Sequence, residues 1–174
     1  ESIHPFYDGN GRTGRILNIL YLIQEGLLGL PVLYISRYII QNRPVYYQLL
    51  QNTRHRAGWE PWLLYMLEAV ETTARDTIAL VTQIQALMQS YKHRIRAEAG
   101  RIYSQDLLNN LFRHPYTKID YLKDDLQVTR LTATRYLDKL VAMDILDKIK
   151  IGRHNYYLNR ELFKLLSQPV KDPV

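Results

Sequence analysis

The stretch His4-Pro5-Phe6-Tyr7-Asp8-Gly9-Asn10-Gly11-Arg12-Thr13-Gly14-Arg15, running directly into Ile16-Leu17-Asn18-Ile19-Leu20-Tyr21-Leu22-Ile23, sets the reading of this chain. A loop dense in glycine and charge opens onto an apolar helix. The glycines on either side of Asn10 let the backbone turn tightly with its N–H groups exposed, and the helix behind them adds a dipole that favours an anion. Arg12 and Arg15 lie three apart, on one side of the first helical turn, where two guanidinium groups can hold further phosphate oxygens through paired hydrogen bonds. A triphosphate suits that charge better than a single phosphate. Asp8 offers a hard oxygen for magnesium, a cation that bridges one carboxylate to substrate phosphates and keeps its waters. His4, four residues upstream, is the side-chain type suited to taking a proton from an attacking hydroxyl. A lone Gly-Asn-Gly is a turn and a lone histidine before proline is structural, but this combination in one short loop has no economical structural explanation. Phe6 is the exception, expected to anchor the loop in the apolar core, with Tyr7 facing solvent.

Working outward, Ile16 to Glu25 is apolar nearly all round, which predicts a buried helix ended by Gly26 or Gly29 ahead of Pro31. So short a helix, hidden on all sides, needs partner helices, and the expectation is that a natural N-terminal portion precedes this chain. Ser36 is placed to cap a helix reaching about Arg43 or, past Pro44, a second one through Tyr46, Tyr47, Leu49 and Leu50 to about Thr53. From Glu60 onward, Leu63, Leu67, Val70, Ala74, Ile78, Val81, Ile84, Met88, Tyr91 and Ile95 recur at steps of three and four, with Pro61 in the first turn. That predicts one long helix, or two with a kink, whose stripe packs on the bundle and whose length also suits a homodimer contact.

Ala97 to Gly100 is the expected boundary, dividing the chain into 1–99 and 100–174. The second part reads as a helix from about Ser104 to Phe112, a short one from Lys118 to about Asp124, and a third after Thr129 that turns Ala133, Leu137, Leu140 and Val141 inward. Ile145 to Ile151 and Asn155 to Leu158, joined through Gly152-Arg153-His154, alternate as a β-hairpin. Three helices and a hairpin are the order of a winged helix-turn-helix domain. The fold class is therefore mainly α, a helical bundle followed by a winged helix.

Composition agrees with two small domains that have real cores: 174 residues, 47% hydrophobic and 23% charged. The absence of cysteine removes disulfide scaffolds, thiolate zinc sites and cysteine nucleophiles. His55, His93, His114 and His154 are scattered without ligand spacing, so no metal beyond magnesium is expected. No uncharged apolar run reaches the roughly 20 residues that cross a bilayer, so no membrane partner is expected. The net charge of +6 is uneven, +2 for residues 1–100 and +4 for 101–174, a mild sign of a polyanion partner for the second part. Fourteen tyrosines suit packing with a polar tip.

The loop His4–Arg15 resembles, without departure, the Fic family signature His-x-Phe-x-Asp/Glu-Gly-Asn-Gly-Arg-x-x-Arg. Leu30-Pro31 through Ser36, and on to Tyr46-Tyr47 and Trp59, also resembles the Fic core that follows the signature, and the winged helix resembles that of bacterial Fic proteins with this two-part layout. The resemblance implies a protein adenylyltransferase that moves AMP from ATP to a Ser, Thr or Tyr hydroxyl of a target protein. It makes His4 the base, Asp8 the ligand of Mg²⁺, Gly9, Asn10 and Gly11 the anion hole, and Arg12 and Arg15 the grip on the distal phosphates. Tyr47 resembles the tyrosine set against the nucleobase, with a helical-core role as its alternative, and Arg54 is a weaker candidate. A bacterial cytoplasmic location follows by the same resemblance. The helices and β-hairpin flap that precede the signature in the family are missing here, and so is a Ser/Thr-x-x-x-Glu-Gly/Asn inhibitory helix, whose glutamate would engage Arg15.

Candidate DNA-binding residues are Arg130, Thr132, Arg135 and Lys139 on the third helix and Arg153 in the hairpin, beside Lys148, Lys150 and His154. Asp138, Asp144 and Asp147 interrupt that patch, and winged helices also dock proteins. Two further readings stay open at this stage: a DNA-binding regulator whose Fic half senses nucleotide, and a Fic enzyme that moves UMP, phosphate or phosphocholine.

Overall fold

The computed structural model describes residues 3–53 and 58–167. The chain forms two compact units, Glu1–Ala79 and Leu80–Val174. The helix α4, Trp59–Ala99, contributes its first part to one and its second part to the other.

In the first unit, α1 runs from Asn10 to Gln24. It ends because Gly26 adopts φ +70, which lets Gly26 N–H reach Ile23 O (3.0 Å) and Leu27 N–H reach Leu22 O (2.9 Å), the paired closure of a glycine-terminated helix. The helices α2, Ser36–Gln41, and α3, Arg43–Asn52, follow, with Pro44 in the first turn of α3 where its missing N–H costs nothing. Ser36 is not the cap expected of it: the N-cap is Ile35, and the Ser36 hydroxyl has a different partner, given below.

The core of this unit is Ile35, Ile39, Tyr46, Tyr65 and Ala69, with Ile19, Leu49, Leu50, Trp62 and Met66 packed against it. Its centre is aromatic: Tyr46 lies 5.3 Å from Trp62, and Tyr38 lies 5.4 Å from Tyr65, both pairs tilted as ring quadrupoles prefer. This cluster corrects the expected packing stripe of α4. Tyr65, Ala69 and Thr73 are buried, whereas Leu63 and Ile78 are exposed and Leu67 is 65% exposed. Two large rings bury more apolar surface than the leucines offset from them, and their contacts decide which side of the helix faces in. The expected burial of α1 is corrected too. Ile19 packs on the core, but Ile16, Leu17, Leu20 and Tyr21 are exposed, because the described residues cover only one side of an all-round apolar helix.

In the second unit, the end of α4 gives Tyr91, Ile95 and Ala99 to a core completed by α5 (Gln105–Arg113), α6 (Ile119–Leu126) and α7 (Arg130–Ala142). Ser104 caps α5 and Thr129 caps α7 through their side-chain oxygens, on Leu107 N–H (3.0 Å) and Thr132 N–H (3.2 Å). Ala133, Leu137 and Leu140 of α7 are buried, as their spacing requires.

The hairpin forms from β2, Asp147–Ile151, and β3, His154–Leu158, around the two-residue turn Gly152-Arg153, with Gly152 at φ +59. Two elements went unread in the sequence: a two-residue strand β1, Tyr116–Thr117, and a last helix α8, Arg160–Ser167. The sheet is antiparallel in the order β1-β3-β2, pairing Tyr116 with Leu158 and Lys148 with Tyr157. Buried Asn159 joins these parts: its side chain accepts from Tyr91 Oη (3.0 Å) and Leu162 N–H (3.1 Å) and donates to Leu111 O (3.1 Å). This is the mainly α bundle and winged-helix layout read from the sequence. No helix among the described residues is long and apolar enough to cross a membrane.

Candidate active site

The signature loop is a hydrogen-bonded turn closed on itself before it enters α1. Gly9 caps the helix at φ +85, a conformation that other L-residues rarely adopt. A Cβ placed there would also stand 3.3 Å from Arg12 Nη2. Asn10 is the buried residue of α1, 8% exposed, and its side-chain amide clasps Phe6 from both sides. Its Oδ1 accepts from Phe6 N–H at 3.0 Å and its Nδ2 donates to Phe6 O at 2.7 Å. Phe6 is thus held by its backbone and not, as expected, by its ring. Phe6 is 53% exposed and is not among the described residues that pack on the core, and Tyr7 faces solvent.

Asp8 accepts from Gly9 N–H at 2.6 Å through Oδ1 and from Arg12 Nη2 at 3.0 Å through Oδ2. Both side chains of that ion pair are well exposed, so it is cheap to exchange for other partners. Arg15 goes elsewhere: its Nε donates to Ser36 Oγ on α2 at 2.9 Å. The two arginines of the signature are therefore held differently, one by a carboxylate and one by a neutral hydroxyl. Among the described residues Arg15 has no carboxylate partner.

His4 is exposed, with φ +45 ahead of Pro5. Tyr47 stands on α3, half-exposed, edge-on to Tyr46 at 5.4 Å and beneath the Arg43 guanidinium at 5.7 Å. Arg54 and His55 lie outside the described residues. No group of three or more His, Asp or Glu is placed to hold a metal among the described residues. A single exposed carboxylate such as Asp8 does fit Mg²⁺, which takes the rest of its shell from phosphates and water. Ser36 is the site residue that the sequence did not reveal: its hydroxyl reads as a helix cap, and the contact with Arg15 has no local signal.

In the second unit the candidate basic residues fall into two sets. Arg130 is bound to Asp120 (2.7 Å), and Thr132 Oγ1 is engaged with Thr129 Oγ1 (2.9 Å) in the helix cap. Arg135, Lys139 and Arg153 are exposed and have no carboxylate partner among the described residues. Two of the three acids that interrupt the patch are themselves engaged: Asp138 by Lys148 at 2.9 Å, and Asp147 by Arg160, whose Nε lies 2.6 Å from Oδ2.

Two family models match the chain. One, described as the Fic/DOC family, covers residues 1–22 and so spans the loop. The other, described as the C-terminal domain of the protein adenylyltransferase SoFic-like kind, covers residues 87–162 and so spans the winged helix. Together the two matches support a Fic-domain protein with a C-terminal extension. They support, at the level of the family, an enzyme of the nucleotidyltransferase type. Fic enzymes generally use ATP with Mg²⁺. Within this Fic loop, a backbone turn, one carboxylate and two arginines stand within seven residues of one another, next to a histidine.

Proposed function

We propose that this Fic protein is an adenylyltransferase that moves AMP from ATP to a hydroxyl side chain of a target protein in the bacterial cytoplasm, with residues 1–99 as the catalytic part and 100–174 as the winged-helix domain. The observation that supports it is the closed turn at Gly9, which gathers Asp8, the helix N-terminus and Arg12 around one small volume. The target hydroxyl oxygen attacks the α-phosphorus of ATP, the bond from that phosphorus to the bridging oxygen breaks, and pyrophosphate leaves. His4 takes the hydroxyl proton. Asn10 and Gly11 present backbone N–H groups to the phosphate oxygens, Gly9 joins them once its N–H exchanges Asp8 Oδ1 for phosphate, and Arg12 and Arg15 neutralise the departing pyrophosphate. This chemistry needs positioning and charge neutralisation more than covalent help. Asp8 would hold Mg²⁺, which supplies charge neutralisation on the phosphates. Tyr47 would meet the nucleobase.

The test is intact-mass measurement after incubation with Mg²⁺ and each of ATP, UTP, GTP and CTP. An AMP-sized adduct that needs both ATP and His4 is expected. An adduct from another nucleotide would reassign the donor.

A second reading concerns the winged helix, where α7 and the hairpin are proposed to contact duplex DNA. Arg135, Lys139 and Arg153, exposed and without a carboxylate partner among the described residues, favour it, as does the Lys148–Asp138 bond that ties β2 to α7. Duplex binding should weaken with salt, and Arg135→Ala with Lys139→Ala should reduce the log–log salt slope by roughly 2. Binding that ignores salt would refute it.

A further inference from the structure

We propose that Ser36 is a positioning residue for Arg15, holding the guanidinium by its inner edge so that both terminal nitrogens stay available to the distal phosphates of a nucleotide. The inference deepens the nucleotide-transfer reading above and rests on it. Arginine carries five donors in a rigid fork, and the fork recognises phosphate through its paired outer N–H groups. Ser36 Oγ accepts from Nε alone, at 2.9 Å, leaving those groups without a hydrogen-bond partner among the described residues. A carboxylate at the same place would form a paired salt bridge and compete with phosphate for the fork. A hydroxyl fixes orientation without cancelling the charge.

The contrast with Arg12 makes the division of labour plain. Arg12 gives a terminal nitrogen, Nη2, to Asp8 and must exchange that partner before it can meet phosphate in full. Arg15 needs no such exchange. The contact is also not an accident of neighbouring turns, since it spans 21 residues and joins α1 to α2. Ser36 sits at the first position of α2, one residue after buried Ile35, so the core that seats Ile35 and Ile39 also fixes the hydroxyl. Arg15 and Ser36 are both half-buried, which strengthens a charge-assisted hydrogen bond relative to one in open water.

The experiment is a double-substitution cycle read by calorimetric titration of the chain with Mg²⁺–ATP and, separately, with inorganic tripolyphosphate. Ser36→Ala should weaken both ligands by roughly three- to ten-fold, the cost of ordering one long side chain at binding. Arg15→Ala should weaken them more, and adding Ser36→Ala to Arg15→Ala should cost nothing further. Ser36→Thr, which keeps the hydroxyl, should restore the affinity, an outcome a merely structural role would not require. Full affinity in Ser36→Ala while Arg15→Ala binds weakly would overturn the proposal, as would two independent, additive losses. If Arg15→Ala binds both ligands as tightly as the parent, the nucleotide reading falls, and this proposal falls with it.

Discussion

Replacing Asn10 by alanine separates the loop's order from the stability of the rest of the unit. The substitution removes two hydrogen bonds, at 3.0 and 2.7 Å, both to the backbone of Phe6, and leaves that N–H and C=O without the partner that closes the turn. Each neutral bond contributes on the order of 1 kcal/mol, so the closed loop should lose about 2 kcal/mol relative to open conformations. Asn10 is not part of the hydrophobic core, so the loss should appear as local opening and not as global unfolding. If the open loop cannot cradle phosphates, affinity for Mg²⁺–ATP should fall by up to about thirty-fold, the equivalent of about 2 kcal/mol. Two measurements follow the same substitution: hydrogen exchange at the Phe6 amide, which should accelerate, and calorimetric titration with Mg²⁺–ATP. Asn10→Asp keeps the acceptor for Phe6 N–H but sets a carboxylate oxygen against Phe6 O and adds a negative charge beside the phosphates, so its affinity should fall at least as far as that of Asn10→Ala. The reasoning is refuted if the Phe6 amide exchanges no faster in Asn10→Ala, or if it does so while affinity is unchanged.

Other perturbations test other links. Gly9→Ala forces φ +85 on a residue with a Cβ and crowds Arg12 Nη2, so a cost of roughly 1–2 kcal/mol in loop closure and weaker nucleotide binding are expected, checked by titration beside the parent. Two tyrosine-to-phenylalanine changes should act in opposite directions in thermal melts. Tyr91→Phe loses a buried bond to Asn159 and should destabilise by about 1–2 kcal/mol, while Tyr65→Phe deletes a buried hydroxyl with no partner among the described residues and should be neutral or stabilising. Asp125 is held below the ordinary carboxylate range, chiefly by the bond from Asn110; burial opposes this, and the bond and charge of Arg113 add to the lowering. A folded pKa below the unfolded one gives stability that is present above the unfolded value and is lost as pH falls through the folded one. Asp125→Asn should therefore flatten the acid limb of stability below about pH 4, measured by denaturation across pH.

The parts of the fold legible in the sequence are those whose determinants are local. Ser104 and Thr129 cap the helices that follow them, and Ala133, Leu137 and Leu140 repeat at helical spacing on a face that a small domain must bury. Gly152 in a two-residue turn between alternating segments is likewise a local signal. On α4, Ile84, Met88, Tyr91 and Ile95 were read in their true phase, but Leu63 and Leu67 were not, because the phase there is set by Tyr38 and Tyr46 on other helices. Periodicity counts apolar residues without weighing the area each can bury. The strand β1 is two residues long and exists through pairing with β3, so it has no pattern of its own.

The same distinction runs through the candidate site. Asp8 with Arg12 and Phe6 with Asn10 are contacts four residues apart, so a contiguous motif exposes them. Ser36 reads locally as a helix cap, and only the packing of α2 turns it toward Arg15. Phe6 looks like a core anchor by residue type, yet the loop is held through the Asn10 amide. Polar clasps of this kind leave no hydrophobic trace in a sequence.

The central claim is that the α-phosphate, with its nucleoside, is what moves. It is tested most directly by incubating the protein with Mg²⁺, bacterial extract proteins as acceptors, and ATP radiolabelled on either the α- or the γ-phosphate, with His4→Ala alongside. The account predicts label on protein from α-labelled ATP only, and none with His4→Ala. Protein labelled from γ-labelled ATP, or labelled equally without His4, would contradict it.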